Sequence, residues 1–149
     1  MRFNQIVPVL QLAIGPVILI SGIGLLLLSM TNRFGRVIDR SRILADAITR
    51  VSADRAVVLR TQMDILWKRA RLIRSAISLA TGSVLLASGL IILLFLSALL
   101  GWEVVPIIVT LFTACMTTLI GSMAFFLRDI NLSLEALQLE IRDGLGSAD

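Results

Sequence analysis

The sequence contains no histidine and no tyrosine, and it has a single cysteine, Cys115. One cysteine cannot form a disulfide within the chain, and the absence of histidine excludes Cys/His metal sites. No glycine-rich phosphate loop is present, and no nucleophile stands beside a base. The sequence therefore predicts no catalytic residue, no cofactor and no metal ligand. We interpret the protein as a non-enzyme and Cys115 as a small packing residue.

Charge is missing from three long apolar stretches, which cover residues 3–31, 75–102 and 104–127. About twenty apolar residues in an α-helix are enough to cross the hydrocarbon core of a bilayer. A chain of 149 residues that is 57% apolar has too little polar sequence to wrap three buried helices in water. We therefore predict an all-α, polytopic integral membrane protein. Its three transmembrane helices are expected at about residues 5–31, 76–100 and 104–127.

The first apolar stretch is longer than the apolar region of a signal peptide, and no A-x-A-like cleavage site precedes Asn32. We interpret it as a retained helix. Of the 14 Lys and Arg residues, eleven lie between Arg33 and Arg74, and only Arg2 precedes the first stretch. The positive-inside rule then places residues 31–75 and the C-terminal tail in the cytoplasm. We expect a bacterial inner (cytoplasmic) membrane protein with its N-terminus outside.

The charged segment between the first two stretches predicts a long cytoplasmic helical hairpin over about residues 32–75. Some acidic residues precede a basic residue by three or four positions, and apolar residues recur in steps of four and three. Both patterns predict helix on the two sides of a turn near residues 51–55. Ser52 or Asp54 is a candidate cap for the second helix. The whole chain, 1–149, is interpreted as one domain.

The tail predicts an amphipathic helix over about residues 128–143, because Ile130, Leu134, Leu137 and Ile141 recur at helical spacing. Residues 31–75 have a net charge of +7, and residues 128–149 have a net charge of −3. We expect the acidic tail to pack against the basic hairpin, with apolar contacts supplying most of the stability.

The first helix has one face of small and amide side chains: Gln11, Gly15, Gly22, Ser29 and Asn32. Small residues let helix backbones approach closely, and lipid would leave the amides unpaired. This face is either a helix–helix interface sealed by amides or the lining of a water-filled axis in an oligomer.

The third helix has a hydroxyl face, formed by Thr110, Thr113 and Thr117. Threonine hydroxyls commonly bond to a carbonyl of their own helix, so this face is either a packing surface or a conduction path. In the outer turn, Trp102 is expected to anchor the helix at the headgroups. Glu103 is either a solvated charge or a cation-collecting group at a pore mouth.

Six basic residues crowd the predicted inner interface: Arg33, Arg36, Lys68, Arg69, Arg71 and Arg74. They form a solvated face of a cytoplasmic bundle or bind anionic lipid headgroups, and the two interpretations are compatible. Nucleic acid is disfavoured as a partner, because no recognition fold or aromatic platform accompanies the charges.

Two motifs carry a family resemblance. The stretch TNRFGR at residues 31–36, with Asp39 and Arg40, and the stretch RARLIR at residues 69–74 are similar to the domain-of-unknown-function 2721 family of small bacterial membrane proteins. The resemblance covers nearly the whole chain. It implies a multi-pass helical protein of bacterial type, and it implies no activity and no catalytic residues.

Three helices leave each subunit little interior in which to bury Gln11 and Asn32, so we predict a cyclic homo-oligomer. Two functions remain open. The first is an oligomeric ion-permeable pore lined by the first or third helix. The second is a non-conducting scaffold whose arginine-rich hairpin binds anionic membrane lipids or an unknown protein partner.

Overall fold

The residues that the structure describes form three long α-helices. A computed structural model describes the backbone of residues 3–51, 53–101 and 103–146, and side-chain surroundings throughout these ranges except at residues 3–6, 9, 53–54 and 134–146. The helices are α1 (Phe3–Ile48), α2 (Ala53–Leu100) and α3 (Val105–Gly146). No β-strand occurs in these described ranges. The all-α prediction is confirmed.

Each helix combines an apolar stretch with charged sequence: α1 and α3 continue beyond their apolar stretches, and α2 begins before its own. α1 runs unbroken from the uncharged residues 3–31 through the arginine-rich residues to Ile48, and neither Pro16 nor Gly35 ends it. A proline is tolerated within an apolar helix because neighbouring groups can satisfy the carbonyl that it frees. α3 runs past residue 127 to Gly146. The amphipathic character predicted for residues 128–143 depends on side chains that, from residue 134, lie outside the described surroundings.

All three helices are long and apolar enough to cross a membrane. The segments that qualify are Leu10–Ile48, Arg55–Leu100 and Val105–Ser133. Only 11%, 22% and 11% of their most apolar windows are buried within the protein. Water would destabilise so much exposed apolar helix surface, whereas lipid accommodates it. The helices therefore have the properties of a membrane-embedded protein, and the cytoplasmic position of residues 32–75 stays a prediction.

The turn between α1 and α2 begins at Thr49. The Thr49 hydroxyl donates to the Asp46 carbonyl at 2.7 Å, and the Arg50 N–H donates to the Ala47 carbonyl at 3.0 Å. These bonds satisfy carbonyls that the end of a helix leaves open. Asp54 already lies within α2 and does not occupy its cap, while Ser52 lies outside the described residues.

Gly101 ends α2 in a left-handed conformation, with φ of +69°. Its N–H donates to the Ser97 carbonyl at 2.9 Å, which closes the last turn. Glycine adopts this conformation at little cost because it has no Cβ. α3 then begins at Val105 with Pro106 in its first turn, where the missing N–H has no helical partner to lose.

The residues form two compact units. The first, called here the apolar unit, is Met1–Ser29 with Ile77–Ser122, and the second, the charged unit, is Met30–Ala76 with Met123–Asp149. The prediction of one domain over 1–149 stays a prediction.

In the apolar unit, α2 presents a buried row of small and aliphatic residues that alternates steps of three and four: Ala80, Ser83, Ala87, Leu90 and Leu94. The Cys115 thiol of α3 donates to the Ser83 carbonyl at 3.2 Å. A Cβ placed on Gly121 would lie 3.4 Å from Leu79 Cδ1, and one on Gly89 would lie 3.6 Å from Leu111 Cδ2. Small residues thus bring α2 and α3 close together. Cys115 is free and buried, which confirms it as a packing residue.

In the charged unit, the buried apolar residues are Met30 and Val37 of α1 and Leu66, Ile73 and Ala76 of α2. Met30 and Val37 are seven residues apart, as are Leu66 and Ile73. A seven-residue spacing returns side chains to the same face after two turns, which is the pattern of helices packed along a common seam. Among the residues of α3 whose side-chain surroundings are described, the buried one in this unit is a carboxylate, Asp129.

Candidate functional site

Asp129 is fully buried, with 0% of its side chain exposed. It is the third member of a row on α3 in which Cys115, Ser122 and Asp129 are seven residues apart, and the first two are also buried. The helix period therefore turns the carboxylate inward. A buried carboxylate is very costly unless it is paired, so its partners define the site.

Two arginines from different helices contact Asp129. Arg69 Nε of α2 donates to Asp129 Oδ1 at 3.3 Å. Arg33 of α1 places a terminal guanidinium nitrogen 3.4 Å from Asp129 Oδ2. We call Arg33, Arg69 and Asp129 the ion triad, and all three belong to the charged unit.

The helix period also positions the two arginines. Arg33 lies between the buried residues Met30 and Val37, three residues after one and four before the other. Arg69 lies between Leu66 and Ile73 at the same spacing. Each arginine therefore leaves its helix on the inward face. Their side chains are 24% and 19% exposed, so each guanidinium is largely enclosed and still reachable from outside.

The pairing within the triad is incomplete. Asp129 Oδ2 accepts no hydrogen bond from the described part of the chain, although the Arg33 guanidinium lies close enough for an ionic contact. The Arg33 guanidinium also lies over the Phe126 ring, 5.4 Å from its centroid, and this cation–π contact restrains its plane. One carboxylate faces two guanidiniums, so the triad has a net charge of +1. This arrangement ties three helices together.

The triad is not suited to proton transfer or metal binding. A guanidinium stays protonated in proteins and cannot act as a general base. Among the described residues, no group of three His, Cys, Asp or Glu side chains is positioned to hold a metal ion. The chemistry that these residues support is electrostatic and positional.

A family model described as a protein of unknown function (DUF2721) matches residues 13–139. The chain belongs to this family. The match contains all three residues of the ion triad and confirms the resemblance carried by the two arginine motifs. No curated protein and no solved structure matches the chain.

The six predicted basic residues divide into two groups. Arg33 and Arg69 belong to the ion triad, whereas the remaining four are exposed: Arg36, Lys68, Arg71 and Arg74. Exposed cations beside an apolar stretch are available to lipid headgroups. The structure therefore gives the two groups different surroundings, although the sequence does not distinguish them.

The small-residue face of α1 lies outside the core of the chain. We call it the α1 seam, and all its members are exposed: Gln11, Gly15, Gly22, Ser29 and Asn32. A Cβ placed on Gly15 or Gly22 would meet no neighbouring atom within 4 Å. α1 buries a different face instead, through Ile23, Met30 and Val37. Within the described residues, the α1 seam is not an interface of the chain with itself.

The hydroxyl face of α3 is exposed and locally bonded. Thr110, Thr113 and Thr117 each donate to the carbonyl four residues earlier at 2.8 Å. Thr110 also lines an open apolar groove of about 400 Å³ on α2 and α3. The donors are thus satisfied, and the oxygen lone pairs remain as acceptors. Glu103 is exposed, and Trp102 lies outside the described residues.

Asp129 and Phe126 are the site residues that sequence reasoning missed. We predicted that the acidic tail would contact the basic hairpin, and one tail acid, Asp129, does so through Arg33 and Arg69. The signal that could have identified it is the seven-residue row Cys115, Ser122 and Asp129, in which an acid continues the line of two small residues.

Proposed function

We propose that the protein is a homo-oligomeric, non-enzymatic bacterial inner-membrane protein whose subunits associate through the α1 seam. The observation that supports this proposal is the exposure of Gln11 and Asn32 on a face whose glycines have no neighbour within 4 Å. Amides in lipid need hydrogen-bond partners, and small residues allow a second helix to approach closely. A second copy of the same face supplies both requirements.

A matched pair of substitutions on α1 tests the association. Gly22 and Gly24 are both exposed, and a Cβ on either would meet nothing within 4 Å. Two residues correspond to about 200° around an α-helix, so Gly24 lies off the α1 seam. Gly22→Leu and Gly24→Leu add the same side chain to open surface at nearly the same depth.

We expect Gly22→Leu to weaken association about tenfold or more, which corresponds to about 1.4 kcal/mol. Gly24→Leu should associate like the unmodified protein. Sedimentation in neutral detergent, and energy transfer between labelled subunits in vesicles, measure the oligomer. A monomeric parent protein, or equal loss in both variants, would remove the basis for the proposal.

The oligomer that this proposal describes is a candidate ion-permeable pore. The feature that favours conduction is the pair of amides on the α1 seam, because amides that face the axis of an oligomer can coordinate an ion. Recording from purified protein in planar bilayers, with Gln11→Leu and Asn32→Leu variants, tests it. We expect the substitutions to change a parent conductance, and an electrically silent parent under voltage and tension would exclude the pore.

The second candidate function is a non-conducting scaffold that contacts anionic lipid or a protein partner through its basic surface. The exposure of Arg36, Lys68, Arg71 and Arg74 favours it. Each basic residue near an anionic bilayer surface contributes about 1 kcal/mol to attraction. Binding of the purified protein to anionic lipid without conductance would select this function over the pore.

A further inference from the structure

We propose that Arg33 and Arg69 form a binding site for a phosphate group with one negative charge, with Asp129 as the positioning residue that holds both guanidiniums. The expected source of the phosphate is the headgroup of an anionic phospholipid. This inference deepens, and rests on, the lipid-contacting role proposed above for the basic residues. It assigns that role to a pair of arginines that are largely enclosed rather than to the exposed ones.

The charges of the ion triad do not balance. Asp129 neutralises one of the two guanidiniums, so one positive charge remains in surroundings where each arginine is less than a quarter exposed. Enclosed charge is costly unless a counter-charge accompanies it. A phosphodiester carries one negative charge and would bring the site to neutrality.

The two arginines also supply hydrogen-bond donors. A guanidinium has five N–H donors in a planar fork that matches the oxygens of a phosphate. Arg69 spends its Nε–H on Asp129, and Arg33 makes its ionic contact through one terminal nitrogen. The described residues provide no second acceptor for either side chain. Phe126 and Asp129 restrain the two guanidiniums, so a phosphate would meet partly pre-organised donors.

The triad lies close to the ends of the apolar stretches. Arg33 and Asp129 each lie two residues beyond an apolar stretch, and Arg69 lies six residues before one. At about 1.5 Å per residue, these offsets are about 3 Å and about 9 Å. The headgroup region on one side of a bilayer is on the order of 5 to 8 Å thick. Arg33 and Asp129 therefore lie at the depth where lipid phosphates are found, and the Arg69 guanidinium reaches that depth through its contact with Asp129.

The test uses the full-length protein in neutral detergent with added phosphatidylglycerol, phosphatidylcholine or inorganic phosphate. Native mass spectrometry measures retained lipid, and thermal unfolding measures stabilisation. Arg33→Gln leaves one arginine facing one carboxylate, which is neutral without a ligand. Arg71→Gln is the control, because it removes one exposed charge two residues from Arg69. Arg69→Gln repeats the test if Arg33→Gln loses its helix content.

We expect the parent protein to retain phosphatidylglycerol in preference to phosphatidylcholine. Arg33→Gln should lose about tenfold of this preference, the effect of one charge-assisted hydrogen bond. Arg71→Gln should stay within about twofold of the parent, because the attraction of an exposed charge to an anionic bilayer surface is absent in neutral detergent. Asp129→Asn leaves two unopposed guanidiniums. With phosphatidylcholine, this variant should unfold at a lower temperature than the parent. Phosphatidylglycerol should raise its unfolding temperature by more than it raises that of the parent.

The remaining outcomes separate the alternatives. Arg33-dependent stabilisation by inorganic phosphate alone, with no gain from phosphatidylglycerol, would support the phosphate site and assign it to a soluble ligand. Equal losses in Arg33→Gln and Arg71→Gln would overturn the site and leave the general lipid-binding surface intact. No anion effect in the parent protein would overturn both. If phosphatidylglycerol raises the unfolding temperature of Asp129→Asn by no more than that of the parent, the positioning role of Asp129 is overturned.

Discussion

At the scale of the residue, one carboxylate determines how the charged unit is held together. Asp129 is fully buried and contacts an arginine from each of the other two helices. Replacing a whole buried ion pair by apolar residues is often tolerated, whereas removing one partner leaves an uncompensated charge. Here the removal of Asp129 would leave two guanidiniums without their counter-ion. Its contribution to stability should therefore greatly exceed that of an exposed acid.

We expect Asp129→Asn to lower the free energy of unfolding by about 3 kcal/mol, because the loss of one partner of a buried ion pair leaves the other charge uncompensated. The matched control is Asp64→Asn, because Asp64 is exposed on α2 and its loss should change stability by less than about 0.5 kcal/mol. Reversible unfolding in neutral detergent, without anionic lipid, measures both. Equal values for the two variants would show that the ion triad does not stabilise the charged unit.

At the scale of the element, small residues determine how closely α2 and α3 approach in the apolar unit. Gly121 leaves Leu79 Cδ1 only 3.4 Å from the position of a Cβ, whereas Gly24 on α1 has open space around it. Lipid does not drive helices together by the hydrophobic effect, so this close packing must supply much of the association between them. A larger side chain at Gly121 should separate them.

We predict that Gly121→Val destabilises the protein by about 1 to 3 kcal/mol, because its branches would overpack the contact with Leu79. Gly24→Val serves as the control, since the same substitution has the same effect on helix propensity and meets no neighbour. Thermal unfolding of both variants in neutral detergent gives the comparison. Equal stability of the two variants would contradict the close α2–α3 contact.

At the scale of the whole molecule, charge is segregated along the chain. Eleven of the 14 basic residues lie between Arg33 and Arg74, after the first apolar stretch and before the second. The distribution of Lys and Arg in short loops sets the orientation of membrane proteins during insertion. This asymmetry predicts that the turn between α1 and α2 faces the cytoplasm and that the turn between α2 and α3 faces outside.

Two single cysteines in a Cys115→Ala background test this orientation. Thr49→Cys and Glu103→Cys place thiols at exposed positions of the two turns. In spheroplasts, a membrane-impermeant maleimide should label Glu103→Cys and should label Thr49→Cys only after lysis. The reverse pattern would invert the topology and move the basic surface to the outside.

The sequence by itself determined the class of the protein. Three uncharged stretches, each long enough to span a bilayer, specify helices because lipid leaves no other partner for backbone N–H and C=O groups. The continuation of these helices into charged sequence was also predictable, because it depends on neighbours along one helix. The packing role of Cys115 was predictable from its small size and its place within an apolar stretch. The sequence identified the α1 seam as one face of a helix, but periodicity along one helix does not identify the neighbour that packs against that face.

Only the tertiary structure decided which basic residues contact a buried carboxylate. The basic residues Arg69 and Arg71 look equivalent in sequence, yet one contacts a buried carboxylate and the other is exposed. The two arginines lie on different faces of α2, and only the face of Arg69 is turned towards the other helices. Asp129 is 60 residues away from Arg69 along the chain. A periodic pattern fixes which residues share a face, whereas the charge opposite that face depends on how three helices pack together.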